Sequence, residues 1–202
     1  MSSDAAAVDL AATRHVEAVV IGASAGGFEA ILAVLEGQPR AYPMPLVAVL
    51  HLPENHESRL AELFGYRLDL QVREARDKES LAPGVLYFAP PGYHLLVEAD
   101  RSFSLSCEER VNFARPSIDV LFETAADAYG KSLAGILLTG ANYDGAAGLA
   151  GMKLAGALTI VQDPASAEVP TMPEAAIRRT APGLILPLAE IRSLLHRLGE
   201  QR

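Results

Sequence analysis

Short apolar runs that alternate with segments of helical spacing constrain the fold of this chain more than any other feature of its sequence. Strands are predicted over Glu17–Ile21, Leu46–Leu50, Leu133–Leu138 and Ala157–Val161. Strands without a polar face are buried on both sides, which is typical of parallel sheets. The alternation therefore predicts an α/β fold: a doubly wound, mostly parallel sheet with helices on both faces.

The pattern changes between the second and third of these strands. Short β-rich runs occur at Val72, Val85–Phe88, Leu95–Val97 and Phe103–Leu105, separated by the turn sequences APG and PPG. This spacing predicts a small β-hairpin insert, a side sheet rather than a further strand and helix. Helices are predicted over Phe28–Leu35, His56–Gly65, Ser117–Tyr129 with Ser117 as its cap, Ala146–Ala155 and Leu188–Leu198.

Length and charge limit the function classes. The 202 residues suit one domain, which we place at residues 15–202 after a flexible tail at 1–14. The net charge of -8 argues against nucleic acid as a partner. A single cysteine, Cys107, most simply a core thiol, and a start without a signal peptide indicate a cytoplasmic protein. Direct membrane insertion is not expected, because no apolar run approaches ~20 residues.

The first strand runs into a glycine-rich loop, G-x-S-x-G-G, with Ser24 at its centre. Such a turn exposes a nucleophile, but a glycine loop before a helix also suits phosphate. A dinucleotide site would need an acidic residue at the end of the second strand, and none lies between Leu46 and Leu52. The loop therefore favours a nucleophilic serine over nucleotide binding, which stays open as a weaker alternative.

Two further side chains follow predicted strands, His51 and Asp144. The carboxyl ends of parallel strands meet at one sheet edge, so Ser24, His51 and Asp144 would come together as nucleophile, base and orienting carboxylate. Each also has an ordinary interpretation, since a lone histidine is often packed and an Asp before Gly often caps a helix.

The remaining polar candidates are weaker. His56 is a nearby competitor of His51, and His94, in the predicted hairpin, could reach the site but is more simply structural. His15 and His196 fall in the tail and the last helix, and Asp119 reads as a surface or first-turn charge. No His, Cys or carboxylate set has the spacing of a metal site, so neither a metal nor a cofactor is expected.

From about Val19 to its C-terminus the chain resembles the catalytic domain of the chemotaxis protein-glutamate methylesterases, the CheB family. The resemblance rests on the motifs IGASAGG with Ser24, LHLP with His51, RPSIDVLF from Arg115, LTGANYDGAAG with Asp144, and ASAEVPTMPEAAI. It implies hydrolysis of glutamate γ-methyl esters on chemoreceptors, with deamidation of receptor glutamines as a further activity. Methylated receptors would be the protein substrate.

The resemblance also implies where the oxyanion and substrate bind. Candidate groups lie in the glycine loop, in the loop before Asp144 and on the nearby insert: Ala25, Gly26, Ala141, Asn142, His94 and Arg115. The family's usual threonine after the serine is Ala25 here, and its usual GMGNDG is GANYDG, which places Tyr143 before Asp144. The pocket wall is therefore expected to differ, and a non-catalytic binding module of the same fold is the alternative.

The family usually carries a phosphoacceptor receiver domain before the esterase, whereas only a short predicted tail precedes the first strand here. We therefore expect an enzyme that is either constitutively open or controlled by a separate response-regulator partner.

Overall fold

A seven-stranded sheet forms the centre of the computed structural model, which describes residues 3–51 and 58–200. The strands of the described residues are β1 (Ala18–Ala23), β2 (Leu46–Leu50), β3 (Gln71–Glu74), β4 (Val85–Phe88), β5 (His94–Val97), β6 (Phe103–Ser106), β7 (Leu133–Leu137), β8 (Leu158–Gln162) and β9 (Leu184–Leu186). The sheet has the order β3-β4-β2-β1-β7-β8-β9, and each neighbouring pair is parallel. The predicted parallel α/β sheet is confirmed.

Helices cover both faces of this sheet. They are α1 (Ser3–Ala12), α2 (Gly27–Leu35), α3 (Leu60–Gly65), α4 (Ile118–Tyr129), α5 (Ala146–Leu154), α6 (Thr171–Thr180) and α7 (Leu188–Glu200). One apolar core joins α2, α3 and α7 to the sheet, with Ile31, Phe64 and Leu194 fully buried. The second core lies on the opposite face and joins α4, α5, α6 and the β5–β6 hairpin, so the fold is doubly wound as predicted.

The predicted side sheet includes two strands that belong to the main sheet. Only β5 and β6 form an antiparallel hairpin, whereas β3 and β4 belong to the main sheet. All four residues of β4 are buried, which is why this strand lies inside a parallel sheet and not in a surface flap. The connection from β3 to β4 packs on the hairpin instead, through the Ser80–Ser102 bridge and the Lys78 N–H bond to the Phe103 carbonyl.

The N-terminal segment differs from the predicted flexible tail, because Ser3–Ala12 forms helix α1. Ala11 and Ala12 are buried in the core, and Arg197 of α7 donates to Asp9 at 2.9 Å. Burial of these alanines in the core gives the segment a tertiary anchor that its sequence does not reveal.

Other boundaries shift by a few residues. The predicted helix from His56 begins at Leu60 in the described part, and His56 itself lies outside the described residues. Helix α6 and the short strand β9 were not predicted, since Pro170 and Pro173 at the start of α6 resemble loop residues. None of the helices described is long and apolar enough to cross a membrane.

Candidate active site

The three central strands β2, β1 and β7 bring their loops to one edge of the sheet. Ser24 follows β1, His51 follows β2, and Asp144 lies between β7 and α5. The Ser24 N–H donates to the Thr139 carbonyl across to the β7 loop at 3.0 Å, and the His51 N–H donates to the Ala23 carbonyl at 3.1 Å. These backbone bonds fix the three loops to one another.

His51 and Asp144 are in direct contact. His51 Nε2 lies 2.9 Å from Asp144 Oδ2, and the Asp144 side chain is completely buried while 14% of the His51 side chain is exposed. A donor on Nε2 leaves Nδ1 as the basic nitrogen of the neutral ring. The contact between the predicted base and the predicted orienting carboxylate is therefore present.

Asp144 also caps a helix, though not the one that follows it. Its carboxylate accepts the N–H groups of Ile118 at 2.7 Å and Asp119 at 3.2 Å, in the first turn of α4, and the Ser117 hydroxyl at 2.8 Å. Ser117 was predicted to cap α4 itself, but its side chain makes no capping bond. The positive end of the α4 dipole adds to the stabilisation of this buried charge.

Two opposing effects act on the pKa of Asp144. Burial raises it, but hydrogen bonds from His51, Asn112, Ile118 and Ser117 lower it further, so the pKa of Asp144 lies below its ordinary value. The carboxylate is accordingly ionised at neutral pH, as an orienting partner of an imidazole must be.

Asn112 bridges two buried carboxylates. Its Nδ2 donates to Asp119 Oδ2 at 2.7 Å and to Asp144 Oδ1 at 3.0 Å. Asp119 is only 5% exposed and also accepts the Gly148 N–H, so the prediction of a surface charge was wrong, although its place in the first turn of α4 is confirmed. Burial, with the nearby charge of Asp144, raises the pKa of Asp119.

Thr139 ties the serine loop to the chain that follows β8. Its side chain donates to the Ala25 carbonyl at 2.9 Å and accepts the Val169 N–H at 2.9 Å, and the residue is 1% exposed. Together with the Ser24 bond to its carbonyl, Thr139 holds the loop on both sides of Ser24. No sequence pattern indicates this role of Thr139, although the residue lies in the LTGANYDG motif.

The predicted oxyanion segments border the serine. Gly26 adopts a left-handed φ of 73° and caps α2, whose N-terminus therefore points at the loop that carries Ala25 and Ser24. On the other side, a Cβ added to Gly140 would lie 3.0 Å from Ser24 Cβ, so the chain leading to Ala141 passes directly against the serine. The Asn142 side chain accepts the Asp144 N–H at 3.1 Å and shapes its own loop.

His94 and Arg115, whose role in substrate binding stays a prediction, bond to backbone groups close to α4. His94 is 2% exposed, with Nδ1 accepting the Ser117 N–H and Nε2 donating to the Glu109 carbonyl. Arg115 donates from Nη1 to the Cys107 and Glu108 carbonyls. These bonds help to order the segment before α4. Cys107 itself is exposed, and its prediction as a core thiol was wrong.

His15 and His196, the other histidines of the described residues, lie away from this centre. His15 and His196 are mostly exposed and contact Glu17 and Glu200 respectively. Within the described ranges, no group of three or more His, Cys, Asp or Glu side chains could hold a metal ion.

Comparisons with known proteins agree on one family. A model of the CheB methylesterase family matches residues 19–195. A putative protein-glutamate methylesterase/protein-glutamine glutaminase of Leptospira interrogans is 45% identical over 184 residues, covering 91% of this chain and 95% of the relative. A protein-glutamate methylesterase/protein-glutamine glutaminase of Bordetella parapertussis is 43% identical over 188 residues, covering 91% of this chain but 53% of that relative.

A solved structure shows the same fold. The crystal structure of the Thermotoga maritima CheB methylesterase catalytic domain matches with a TM-score of 0.86 at 31% identity, covering 91% of this chain and 98% of that one. The resemblance seen in the motifs is confirmed, and the chain belongs to the CheB methylesterase family.

Proposed function

We propose that this chain is a protein-glutamate methylesterase that hydrolyses glutamate γ-methyl esters of chemoreceptors, with Ser24, His51 and Asp144 as its catalytic triad. Family membership supports the reaction class. A single observation supports the assignment of residues: His51 lies 2.9 Å from the buried, ionised Asp144. His51 follows β2, which pairs with β1, the strand that leads to Ser24.

In the acylation step, Ser24 Oγ attacks the ester carbonyl while His51 accepts the serine proton on Nδ1. The tetrahedral intermediate collapses as His51 returns that proton to the leaving methoxide, which departs as methanol. Asp144 keeps the Nε2 proton in place and stabilises the imidazolium that forms between these two transfers. The product of this step is an ester between the substrate glutamyl group and Ser24.

Water completes the reaction. His51 removes a proton from water, the hydroxide adds to the acyl carbon, and the bond to Ser24 Oγ breaks as the serine regains its proton. The free glutamate side chain leaves as a carboxylate. Backbone N–H groups near Ala25, Gly26 and Ala141, beside the N-terminus of α2, would stabilise the oxyanion in both steps, each donor contributing about 10² to 10³ in rate.

The same acyl chemistry applies to a glutamine side chain, with ammonia leaving in place of methanol. Relatives of this chain carry the name protein-glutamine glutaminase as well as methylesterase. We therefore propose deamidation of receptor glutamines as a second reaction of the same site. Regulation by a separate response regulator stays a prediction, tested by adding a phosphorylated receiver protein and measuring the rate.

Methanol release from methylated chemoreceptor membranes tests the proposal. Wild-type protein should release methanol and Ser24→Ala should not, while Ser193→Ala, a surface serine of α7 that bonds the Ala189 carbonyl, should behave as wild type. Retained release by Ser24→Ala would contradict the assignment of the nucleophile. If wild type releases none and a serine-directed phosphonate leaves Ser24 unlabelled, the non-catalytic binding module that Ala25 and GANYDG suggest becomes the better account.

A further inference from the structure

Exposed apolar side chains are concentrated beside the candidate active site. Nine large hydrophobic side chains are exposed in the described part of the chain, and four of them adjoin residues of the Asp144 hydrogen-bond network. These four, which we name the apolar rim, are Tyr93, Val111, Phe113 and Tyr143, with exposed fractions of 41%, 37%, 88% and 55%. Three of the four are aromatic.

The backbone places the rim next to the hydrogen-bond network of Asp144. Tyr143 immediately precedes Asp144, and Val111 and Phe113 stand on either side of Asn112, whose amide donates to Asp144 at 3.0 Å. Tyr93 precedes His94, which accepts the N–H of Ser117, a second donor to Asp144. Each rim residue is therefore a sequence neighbour of Asp144 itself or of a residue linked to Asp144 by one or two hydrogen bonds.

Phe113 adds little buried apolar area to the fold. It has a φ of +63°, directly after Asn112 at +52°, in a tight turn closed by two backbone bonds between Val111 and Ala114. A bulky residue at positive φ is strained, because its side chain crowds the backbone. With 88% of the residue exposed, burial offsets little of that strain. The aromatic ring at this turn is therefore available to a partner outside the free chain.

We propose that the apolar rim docks the protein substrate, by contacting apolar side chains on either side of the esterified glutamate. The proposal rests on the function assigned above, because there the ester belongs to a protein whose neighbouring residues must lie on the surface around Ser24. Exposed aromatic side chains contribute the most binding energy at such contacts, since they bury a large area at low entropy cost. The rim selects a protein-borne ester and takes no part in bond breaking.

Two variants separate docking from chemistry. Phe113→Gly and Tyr143→Ala should each raise KM for methylated receptor membranes about tenfold and leave kcat within about twofold. Hydrolysis of the small ester p-nitrophenyl acetate should be retained in both. Phe113→Gly should unfold at no lower a temperature than wild type, because glycine accepts the positive φ, so loss of the fold will not obscure the result.

Tyr66→Ala is the matched control. Tyr66 is 79% exposed and ends α3 on the way to β3, at the amino edge of the sheet opposite the site, so its KM should equal that of wild type. An unchanged KM in Phe113→Gly and Tyr143→Ala would overturn the docking role and leave the proposed function intact. A parallel loss of p-nitrophenyl acetate hydrolysis would assign the rim to site geometry instead.

Other occupants of the rim give different results. If sedimentation shows a wild-type dimer that Phe113→Gly converts to monomer, with KM unchanged, the rim is a contact between two copies and the proposal is wrong. If wild type hydrolyses neither receptor esters nor p-nitrophenyl acetate, the proposed function fails and the docking proposal fails with it.

Discussion

His51 Nε2 lies 2.9 Å from Asp144 Oδ2, and this hydrogen bond joins two loops separated by 93 residues of sequence. The same Oδ2 accepts the Ile118 N–H, while Oδ1 accepts Asn112, Ser117 and the Asp119 N–H. One carboxylate therefore orients the candidate base and caps helix α4. The position of His51 is coupled in this way to the docking of α4 on the sheet.

Asp144→Asn tests this double role. The amide would present N–H groups to donors and favour the wrong tautomer of His51, so kcat should fall by about 10⁴. The free energy of unfolding should also fall by about 1–3 kcal/mol, because donors at the α4 N-terminus lose an acceptor. Enzyme kinetics and urea unfolding measure the two effects. Asp163→Asn is the control: the Asp163 carboxylate follows β8 and accepts the Ala165 N–H, and its substitution should leave kcat unchanged.

The pH dependence of stability follows from the lowered pKa of Asp144. A carboxyl whose folded pKa lies below its unfolded value stabilises the fold above the unfolded value and loses that contribution as pH falls through the folded value. The stability difference between wild type and Asp144→Asn should therefore be full above about pH 4 and shrink in stronger acid. Urea unfolding at several pH values measures it, and a difference that grows towards acid would show the opposite sign.

Asn112 is predicted to position Asp144. Asn112→Gly keeps the left-handed backbone but removes the amide that separates the carboxylates of Asp119 and Asp144, so kcat should fall about tenfold. Asn112→Asp should be worse, since it adds a third carboxylate to the pair. That added negative charge would favour protonation within the triad and so move the acid limb of the pH–rate profile to higher pH.

A readout specific to positioning distinguishes this role from a purely structural one. The pH–rate profile of Asn112→Gly should keep its shape at lower amplitude, whereas the profile of Asn112→Asp should shift. Wild-type kcat in Asn112→Gly, or an unshifted profile in Asn112→Asp, would show that Asn112 does not act through Asp144.

The sequence was sufficient to predict that the loops carrying Ser24, His51 and Asp144 meet, because each follows an apolar strand and parallel strands end at one edge. Their catalytic roles stay a prediction. The sequence was not sufficient to find Asn112 and Thr139, since Asp144, which accepts from Asn112, and Val169, which bonds Thr139, each lie 30 or more residues away and no local pattern links them. The strand pairing of β4 was missed for a related reason. Its apolar run is flanked by turn sequences, and only tertiary burial distinguishes an inner strand from a surface hairpin.

Thr139→Val tests whether the serine loop needs its side-chain anchor. Valine has nearly the same shape as threonine but no hydroxyl, so the Val169 N–H loses its acceptor and the Ala25 carbonyl loses its donor. The free energy of unfolding should therefore fall by about 1–3 kcal/mol. Because the loop then loses one of its two ties to Thr139, kcat should fall at least about tenfold, while the fold is retained.

Thr159→Val provides the comparison that isolates positioning from stability. Thr159 is 2% exposed on β8 and accepts the Gly183 N–H at 2.9 Å, at the amino end of β9 and away from the serine loop. Its loss removes one part-buried hydrogen bond, so urea unfolding should show a measurable but smaller cost, whereas kcat should equal that of wild type. If both valine variants lose stability and both retain kcat, Thr139 supports the fold alone, and the geometry of Ser24 is set by its backbone bonds.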